Sequence, residues 1–329
     1  MKRLITGIRP SASLTIANLI GSVIPLLELQ KLDDTEIFVF VATMHGLTDH
    51  EPREIVPNIR EVVRDYLALG LDPTRVTIFD QRDVRSEVAL LKLYLERHIT
   101  VARACRIPTL KDKLQDGQRP EEATALLMSY PVMMTADIVL QDADIVPVGK
   151  DQYSHMETAR ELVDAFNKRY GNGKSVLVRP ETMNREEPIN ILSLTGDGKM
   201  SKSRPENALF LTEDEKTLRK KIRRAETAFE SQMTDKLDSL ITMTLALAPE
   251  KKPAVDEILT RHKSGDKVMG EFKDLVADVV IDFTTRFQKK RALISESDVD
   301  AILADGATKA RANAQDVVAR VEEALGINA

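Results

Sequence analysis

The sequence predicts an α/β protein, a parallel sheet with helices on both faces followed by an all-α part, and three observations carry that expectation. As far as residue 178, short β-like runs alternate with amphipathic helical runs, and such alternation arises when crossover helices join parallel strands. From Thr212 onward the β signal is absent and only helical periodicity remains. The composition, 43% hydrophobic and 30% charged across 329 residues, supplies a full core to each of two domains of ordinary size.

Residues 3–8 form the first strand, residues 14–30 the first helix by their apolar spacing, and residues 36–42 the second strand. A helical pattern over 52–69 leads to a strand at 75–79 and a helix at 86–97. A polar stretch at 111–122 precedes a helical run to Leu140, a short strand at 145–148 and a helix at 152–170, which Gly171 and Gly173 end. Residues 175–178 read as a further strand, and 195–203 as a loop rich in Gly, Lys and Ser. Helices follow at 213–227, 234–247, 253–262, 267–291 and 295–325. The division falls near 205–210, giving a first domain of residues 1–206 and a helical domain of 207–329.

Composition removes several function classes. The longest apolar runs, such as 67–71 and 276–281, fall far short of the roughly 20 residues that span a bilayer, so no membrane segment is expected. The basic N-terminus reaches a Gly-Ile-Arg-Pro turn before a signal-peptide apolar region has formed, which argues against secretion. Cys105 is the only cysteine, so an internal disulfide and a cysteine zinc site are excluded and a reducing cytoplasm fits. With 47 Lys and Arg against 52 Asp and Glu, a net charge of −5, dense nonspecific nucleic-acid binding is not expected, although one element can carry a local basic face. No tryptophan and 4% aromatics leave no base-stacking platform.

Two segments carry chemistry. Gly7-Ile8-Arg9-Pro10-Ser11-Ala12-Ser13-Leu14-Thr15-Ile16-Ala17-Asn18 joins the first strand to the first helix. Ligands bind at this edge of open α/β sheets, where small residues admit a ligand to the backbone and a helix N-terminus attracts phosphate. An ordinary turn capped by Ser13 reads equally well, since neither a Walker nor a G-x-G-x-x-G pattern is present. The second segment is Lys199-Met200-Ser201-Lys202-Ser203, after Gly196-Asp197-Gly198. Two ammonium groups and two hydroxyls on a hinged loop suit a triphosphate whose pyrophosphate is leaving. A solvated Lys/Ser linker is the plainer alternative.

Together the two segments resemble the signatures of class I aminoacyl-tRNA synthetases. Lys199 to Ser203 match KMSKS without substitution, and Thr15-Ile16-Ala17-Asn18 is similar to the TIGN form of the HIGH signature in bacterial tryptophanyl enzymes. Tyr130-Pro131-Val132-Met133-Met134-Thr135-Ala136-Asp137-Ile138 resembles YPxLMAADIL, and Asp144-Ile145-Val146-Pro147-Val148-Gly149-Lys150-Asp151-Gln152 resembles DxVPVGEDQ. His155-Met156-Glu157 and residues 166–171 continue the likeness. The resemblance implies a Rossmann-like, doubly wound parallel-sheet catalytic domain followed by an all-α helical domain on the anticodon side of the tRNA. It also implies a ligase that uses ATP, Mg²⁺, L-tryptophan and tRNA(Trp), as a cytoplasmic homodimer.

An indole needs an apolar slot and one acceptor for its ring N–H, because a buried unpaired donor costs about 1–3 kcal/mol. The resemblance supplies Asp137 as acceptor and Met134, Val146 and Val148 as walls, with His45, Gln152 and Tyr130 lining the same pocket. Taken singly, the apolar residues read as core and Asp137 as a capped or solvated carboxylate. For the nucleotide, the resemblance carries over Arg9, Pro10, Ser11, Thr15, Ala17 and Asn18, then Gly149, Lys150 and Asp151 at the ribose, Ile191 near adenine, and Lys199, Met200, Ser201, Lys202 and Ser203. Lys199, Lys202 and a mobile-loop lysine, Lys111, are its catalytic candidates at the phosphates, with Mg²⁺ on the pyrophosphate.

Lys216, Arg219, Lys220 and Arg223 share one helix face, as a tRNA phosphate contact or an ordinary solvated surface. The sequence departs from the family at Ala12 and Ala17, where glycines are usual, at Ile5 in place of Phe and at Arg9 in place of Gln. Residues 225–237 lack the TDS and PGxSNLL elements. A relative that adenylates tryptophan or another amino acid without normal tRNA charging, and a non-catalytic binder on the same fold, stay open on the sequence.

Overall fold

Apolar residues in the strands of this chain fall on both faces, as buried parallel strands require. In the computed structural model, which describes residues 1–10, 13–111, 114, 119–149, 152–184, 189–229 and 231–327, β1 (Lys2–Ile8) leads to α1 (Ile16–Asn18). A π-helical segment, Leu19–Val23, and α2 (Ile24–Leu29) continue to β2 (Thr35–Val41). Next come α3 (Thr43–Gly46), α4 (Pro52–Leu69) and β3 (Val76–Asp80). α5 (Arg85–Glu96), α6 (Val101–Ala104), α7 (Pro108–Lys111) and α8 (Ala125–Val139) cross to β4 (Ile145–Val148), and α9 (Tyr153–Tyr170) leads to β5 (Glu181–Asn184). The described strands form one parallel sheet in the order β3-β2-β1-β4-β5. The order reverses between β1 and β4, which opens a crevice at their carboxyl ends.

Side-chain alternation divides the core in two. Leu4, Ile37, Val39 and Ile78 share one cluster with α2 and α4, whereas Ile5, Phe38, Phe40 and Phe79 share another with α5, α8 and α9. Beyond the sheet, α10 (Glu215–Arg224), α11 (Asp235–Leu247), α12 (Lys252–Lys263) and α13 (Met269–Ala292) extend the first cluster through Leu218, Leu237, Val255 and Phe272.

The last helix, α14 (Glu296–Leu325), belongs to both. Val299 lies in the first cluster, and Ala310, Ala314, Val317 and Val321 lie in the second, so the helix passes around the edge of the sheet. At the passage Gly306 sits against β3 so closely that a Cβ would overlap the Ile78 carbonyl. Among the described strands β3 pairs only with β2, and α14 packs along it, protecting an edge that would otherwise be open to other chains. Although the expected division lies near residue 206, much of the buried face of α14 thus belongs to the core of the sheet.

Two expected elements differ. Residues 14–30 are not one regular helix: Pro25 has no N–H and crowds the carbonyl four residues back, and the ladder widens over Leu19–Val23, with the Ile24 N–H reaching Leu19 O. Residues 175–178 form no strand. There Asn167 Oδ1 accepts from the Val176 and Leu177 N–H groups at 3.0 Å each, and its Nδ2 donates to Leu177 O at 2.8 Å. A side chain satisfies the backbone that a strand partner would otherwise serve, and β5 forms later, after Pro180.

Candidate active site

The crevice at the reversal of strand order holds a cavity of about 880 Å³. β1 and the turn after it contribute Gly7, Ile8, Arg9 and Pro10, and the segment after β2 contributes Ala42 and His45. Tyr130, Met134 and Ile138 enter from α8, and Val146, Val148, Gly149 and Gln152 from β4 and its exit. All of the residues expected around an indole, apart from Asp137, therefore meet at one cavity, joined by Ile5 and Phe40.

Asp137 stands one layer back. Its carboxylate is buried, with Oδ2 2.8 Å from His45 Nε2, and Gln81 Nε2 donates to both oxygens at 2.8 Å. Gln81 is itself fully buried, and its Oε1 accepts from the Met44 and His45 N–H groups at 2.8 and 3.3 Å. The residue that follows β3 thus fixes both Asp137 and the backbone of His45. A carboxylate offers about four acceptor positions, so these contacts leave acceptor capacity on Asp137. The Tyr130 hydroxyl is hydrogen bonded to buried His155, and its ring meets His45 edge-on with centroids 5.9 Å apart. Motif reading does not reach Gln81; its signal is position, a polar residue directly after a strand on the ligand edge.

The first signature folds as a helix cap. Buried Thr15 accepts the Asn18 N–H on Oγ1 at 3.2 Å, while Asn18 Oδ1 accepts from the Thr15 N–H at 3.1 Å and from its hydroxyl at 3.0 Å. Thr15 is the cap rather than Ser13, whose Oγ accepts from Thr212 Oγ1 at 3.1 Å. This turn is held by the chain that leaves the second signature: Ile16 N–H donates to Leu209 O and Leu211 N–H to Leu14 O, each at 2.9 Å. Thr15 and Phe210 form an antiparallel bridge between them.

The second signature grows out of a hairpin. Leu192 and Lys199 form an antiparallel bridge, Ser193 N–H donates to Gly198 O at 3.0 Å, and Met200 N–H donates to Ile191 O at 2.9 Å. The tip is left-handed at Gly196 (φ 67°) and Gly198 (φ 90°), which glycine adopts without strain. Met200 and Ile191 are buried and anchor the loop, whereas Lys199 and Ser203 are exposed. The Ser201 and Ser203 hydroxyls are 2.6 Å apart.

Lys202 is partly buried, and burial holds its ammonium down at about 8 while Asp65 pulls it back up. Asp65, on α4, has its carboxyl raised by burial, with Arg291 at the end of α13 opposing that shift through an ion pair. Arg291 also binds Glu61. A charged network thus runs from the helical layer to the second signature.

Arg9, Pro10 and Gly149 of the expected nucleotide set line the cavity, and Ala17 and Asn18 are half-buried on α1. Ser11, Ala12, Lys150 and Asp151 lie outside the described residues, and Lys111 is placed as the last residue of α7. On α10, Arg219 pairs with Glu215 at 3.1 Å and Asp278 at 3.0 Å, and Arg223 with Asp274 at 3.6 Å. The basic face is therefore partly neutralised within the molecule, with Lys216 and Lys220 exposed. Among the described residues no three His, Cys, Asp or Glu side chains are grouped to hold a metal ion, and no helix is long and apolar enough to cross a membrane.

Residues 1–287 match the family described as tRNA synthetases class I (W and Y). The chain is 34% identical to a tryptophan–tRNA ligase of Caldanaerobacter subterraneus subsp. tengcongensis over 99% of each chain. It is 32% identical to that of Enterococcus faecalis, over 99% of this chain and 98% of the relative. Among solved structures it is similar to a tryptophanyl-tRNA synthetase of Campylobacter jejuni complexed with ADP and tryptophan, with a TM-score of 0.84 at 31% identity, covering 98% of this chain and 99% of that one. A tyrosyl-tRNA synthetase of Aeropyrum pernix shares the fold at 21% identity and a TM-score of 0.65, over 93% of this chain and 89% of that one.

Proposed function

The chain belongs to the class I tRNA synthetases of the tryptophan and tyrosine group, and on that premise we propose that it is a tryptophan–tRNA ligase. ATP and L-tryptophan give tryptophanyl adenylate and pyrophosphate, and the tryptophanyl group then passes to the 3′ end of tRNA(Trp). The observation that carries this reading is the backbone junction of the first signature with the chain that leaves the second, residues 14–16 against 209–211, in a fold with an apolar cavity at the carboxyl edge of its sheet.

In the first step the tryptophan carboxylate, already ionised, attacks the α-phosphorus in line. Its P–O bond forms as the bond to the oxygen bridging to the β-phosphate breaks. No general base is needed, so catalysis lies in positioning and in meeting the charge that moves onto the departing pyrophosphate. Lys199 and Lys202 on the hairpin, and Lys111 at the end of α7, have that role. Arg9 to Ser11, Thr15, Ala17 and Asn18 receive the nucleotide, Gly149, Lys150 and Asp151 its ribose, and Ile191 lies toward adenine. Mg²⁺ enters with ATP, on phosphate oxygens, as part of the substrate.

The indole fills the space between Met134, Val146 and Val148, and its N–H is accepted by Asp137, held in place by Gln81 and His45. Tyrosine would bring a hydroxyl among apolar walls, at a cost in affinity that favours tryptophan. Residues 207–329 serve the anticodon side of the tRNA, with Lys216 and Lys220 toward phosphate. The protein acts as a cytoplasmic homodimer, a setting that a lone cysteine fits.

With no tryptophan in the chain, bound L-tryptophan is the only indole in the complex and reports its own binding by fluorescence. ATP–pyrophosphate exchange assayed across the standard amino acids is expected with tryptophan alone. Exchange driven by another amino acid would overturn the pocket assignment, and exchange with none would overturn adenylation.

Lys202 adds a proton signature. With its ammonium held down at about 8 in the free protein, a substantial fraction of it is uncharged at pH 8, and phosphate favours the charged form. ATP binding at pH 8 is therefore expected to take up a fraction of a proton at Lys202, a contribution that fades toward about pH 6, where Lys202 is already charged. Calorimetry in buffers of differing ionisation enthalpy measures the uptake, which Lys202→Met abolishes. Affinity for ATP correspondingly falls as pH rises through 8.

A further inference from the structure

The hairpin that presents Lys199 and Lys202 is fastened from outside by one stretch of the helical layer. Lys236 Nζ donates to the carbonyls of Ser193, where the hairpin enters its tip, and of Gly196 within the tip. Glu226 grips the same tip at both of its own ends: its N–H donates to Leu194 O at 2.8 Å, and its Oε1 accepts from Gly196 N–H at 2.9 Å. Ser239 Oγ accepts from Leu192 N–H at 2.8 Å. Every one of these contacts uses backbone of the hairpin, so together they set the path of the loop independently of the side chains it carries.

Lys236 is the second residue of α11, after the Thr234 cap and Asp235. A cation in the first turn of a helix is opposed by the helix dipole, so propensity gives no reason for a lysine there. Two carbonyls of a neighbouring loop do, because an ammonium has three donors to place. α11 is in turn seated among Leu237, Leu240 and Met243, in the cluster that holds Phe272 and Val276 of α13. Moving the hairpin tip therefore means breaking these bonds or moving the helical layer with it.

We propose that Lys236 and Glu226 are positioning residues for the adenylation step: they lock the 192–200 hairpin to α11 and to the segment that joins α10 to it, so that Lys199 and Lys202 reach the ATP phosphates together with the helical layer and not as a loop moving on its own. The proposal rests on the ligase reading, and its test keeps the two apart. Lys236→Met, which keeps length and removes the donors, is expected to raise KM for ATP and lower kcat of exchange, each by about tenfold. The Kd for tryptophan, read from ligand fluorescence, stays within about twofold because the cavity wall is untouched. Lys236→Arg recovers most of the loss.

Hydrogen exchange supplies a readout that needs no activity. The amides of residues 193–198 are expected to exchange about tenfold faster in Lys236→Met and in Glu226→Ala, with those of α8 unchanged. Unaltered protection of the tip in both variants, or a parallel loss of tryptophan and ATP binding, would overturn the clamp. Faster exchange at the tip in a protein whose wild type performs no pyrophosphate exchange would support the clamp and remove the ligase reading.

Discussion

Lys202→Ala is expected to lower tryptophan-dependent ATP–pyrophosphate exchange by about 10²–10³-fold, the effect of removing one preorganised donor from a developing anion. Burial gives this lysine its weight. An ammonium already stripped of part of its water, as the depression to about 8 implies, meets pyrophosphate without first reorganising solvent. Lys199 is exposed, so water and salt screen it, and Lys199→Ala is expected to cost only about tenfold. Neither residue lines the cavity, and tryptophan binding by ligand fluorescence is expected to stay at the wild-type value in both. Exchange by Lys202→Ala within threefold of wild type, a factor of ~3, would remove the hairpin from the catalytic account.

Gly306→Ala is expected to destabilise the protein by about 3 kcal/mol or more, at the upper end for overpacking, because the new methyl meets backbone and not a side chain that can swing away. The Cβ would overlap the Ile78 carbonyl. α14 cannot retreat cheaply, since Asn313 donates to Gln141 Oε1 at 3.2 Å, Gln141 Nε2 to Ala310 O at 3.1 Å, and Arg320 to Asp142 at 2.6 Å. For a chain of 329 residues a loss of that size lowers the melting midpoint by roughly 4–5 °C. Tryptophan affinity should weaken with it, because displaced β3 leads directly into Gln81, which holds Asp137. Thr308→Ala, two residues on and exposed, is the control and should melt within about 2 °C of wild type. A Gly306→Ala protein that melts with the control would mean that α14 does not lie against β3 as described.

What was legible in the sequence is what depends on neighbours along the chain. α4 repeats its apolar residues at helical spacing up to Gly70, and β4 is a short apolar run between polar residues; both appear where the pattern puts them. The long helix expected after β1 is interrupted by Pro25, a local effect that apolar spacing alone overrides. Val176 and Leu177 look like strand residues, but their N–H groups are taken by Asn167, and no pattern records that.

The site divides in the same way. The signatures are contiguous strings and could be read directly, whereas Met134, Val146 and Val148, which read singly as core, became cavity walls only through the resemblance those strings carry. Gln81, Asp65, Glu226 and Lys236 act on partners distant in sequence: Gln81 on Asp137, Asp65 on Arg291, and the other two on the hairpin. Their roles come from the fold. Gly306 belongs with them, since a glycine inside a helix reads as a weakness until the strand beside it is known.

Whether the adenylate formed in this cavity is delivered to tRNA(Trp) is read from acylation of a tRNA(Trp) transcript with labelled L-tryptophan, ATP and Mg²⁺. Label is expected on the 3′-terminal ribose as a base-labile ester, absent after periodate oxidation of that ribose and absent from tRNA(Tyr). Pyrophosphate release with tryptophan but no label on tRNA(Trp), or charging with tyrosine in its place, would contradict that delivery.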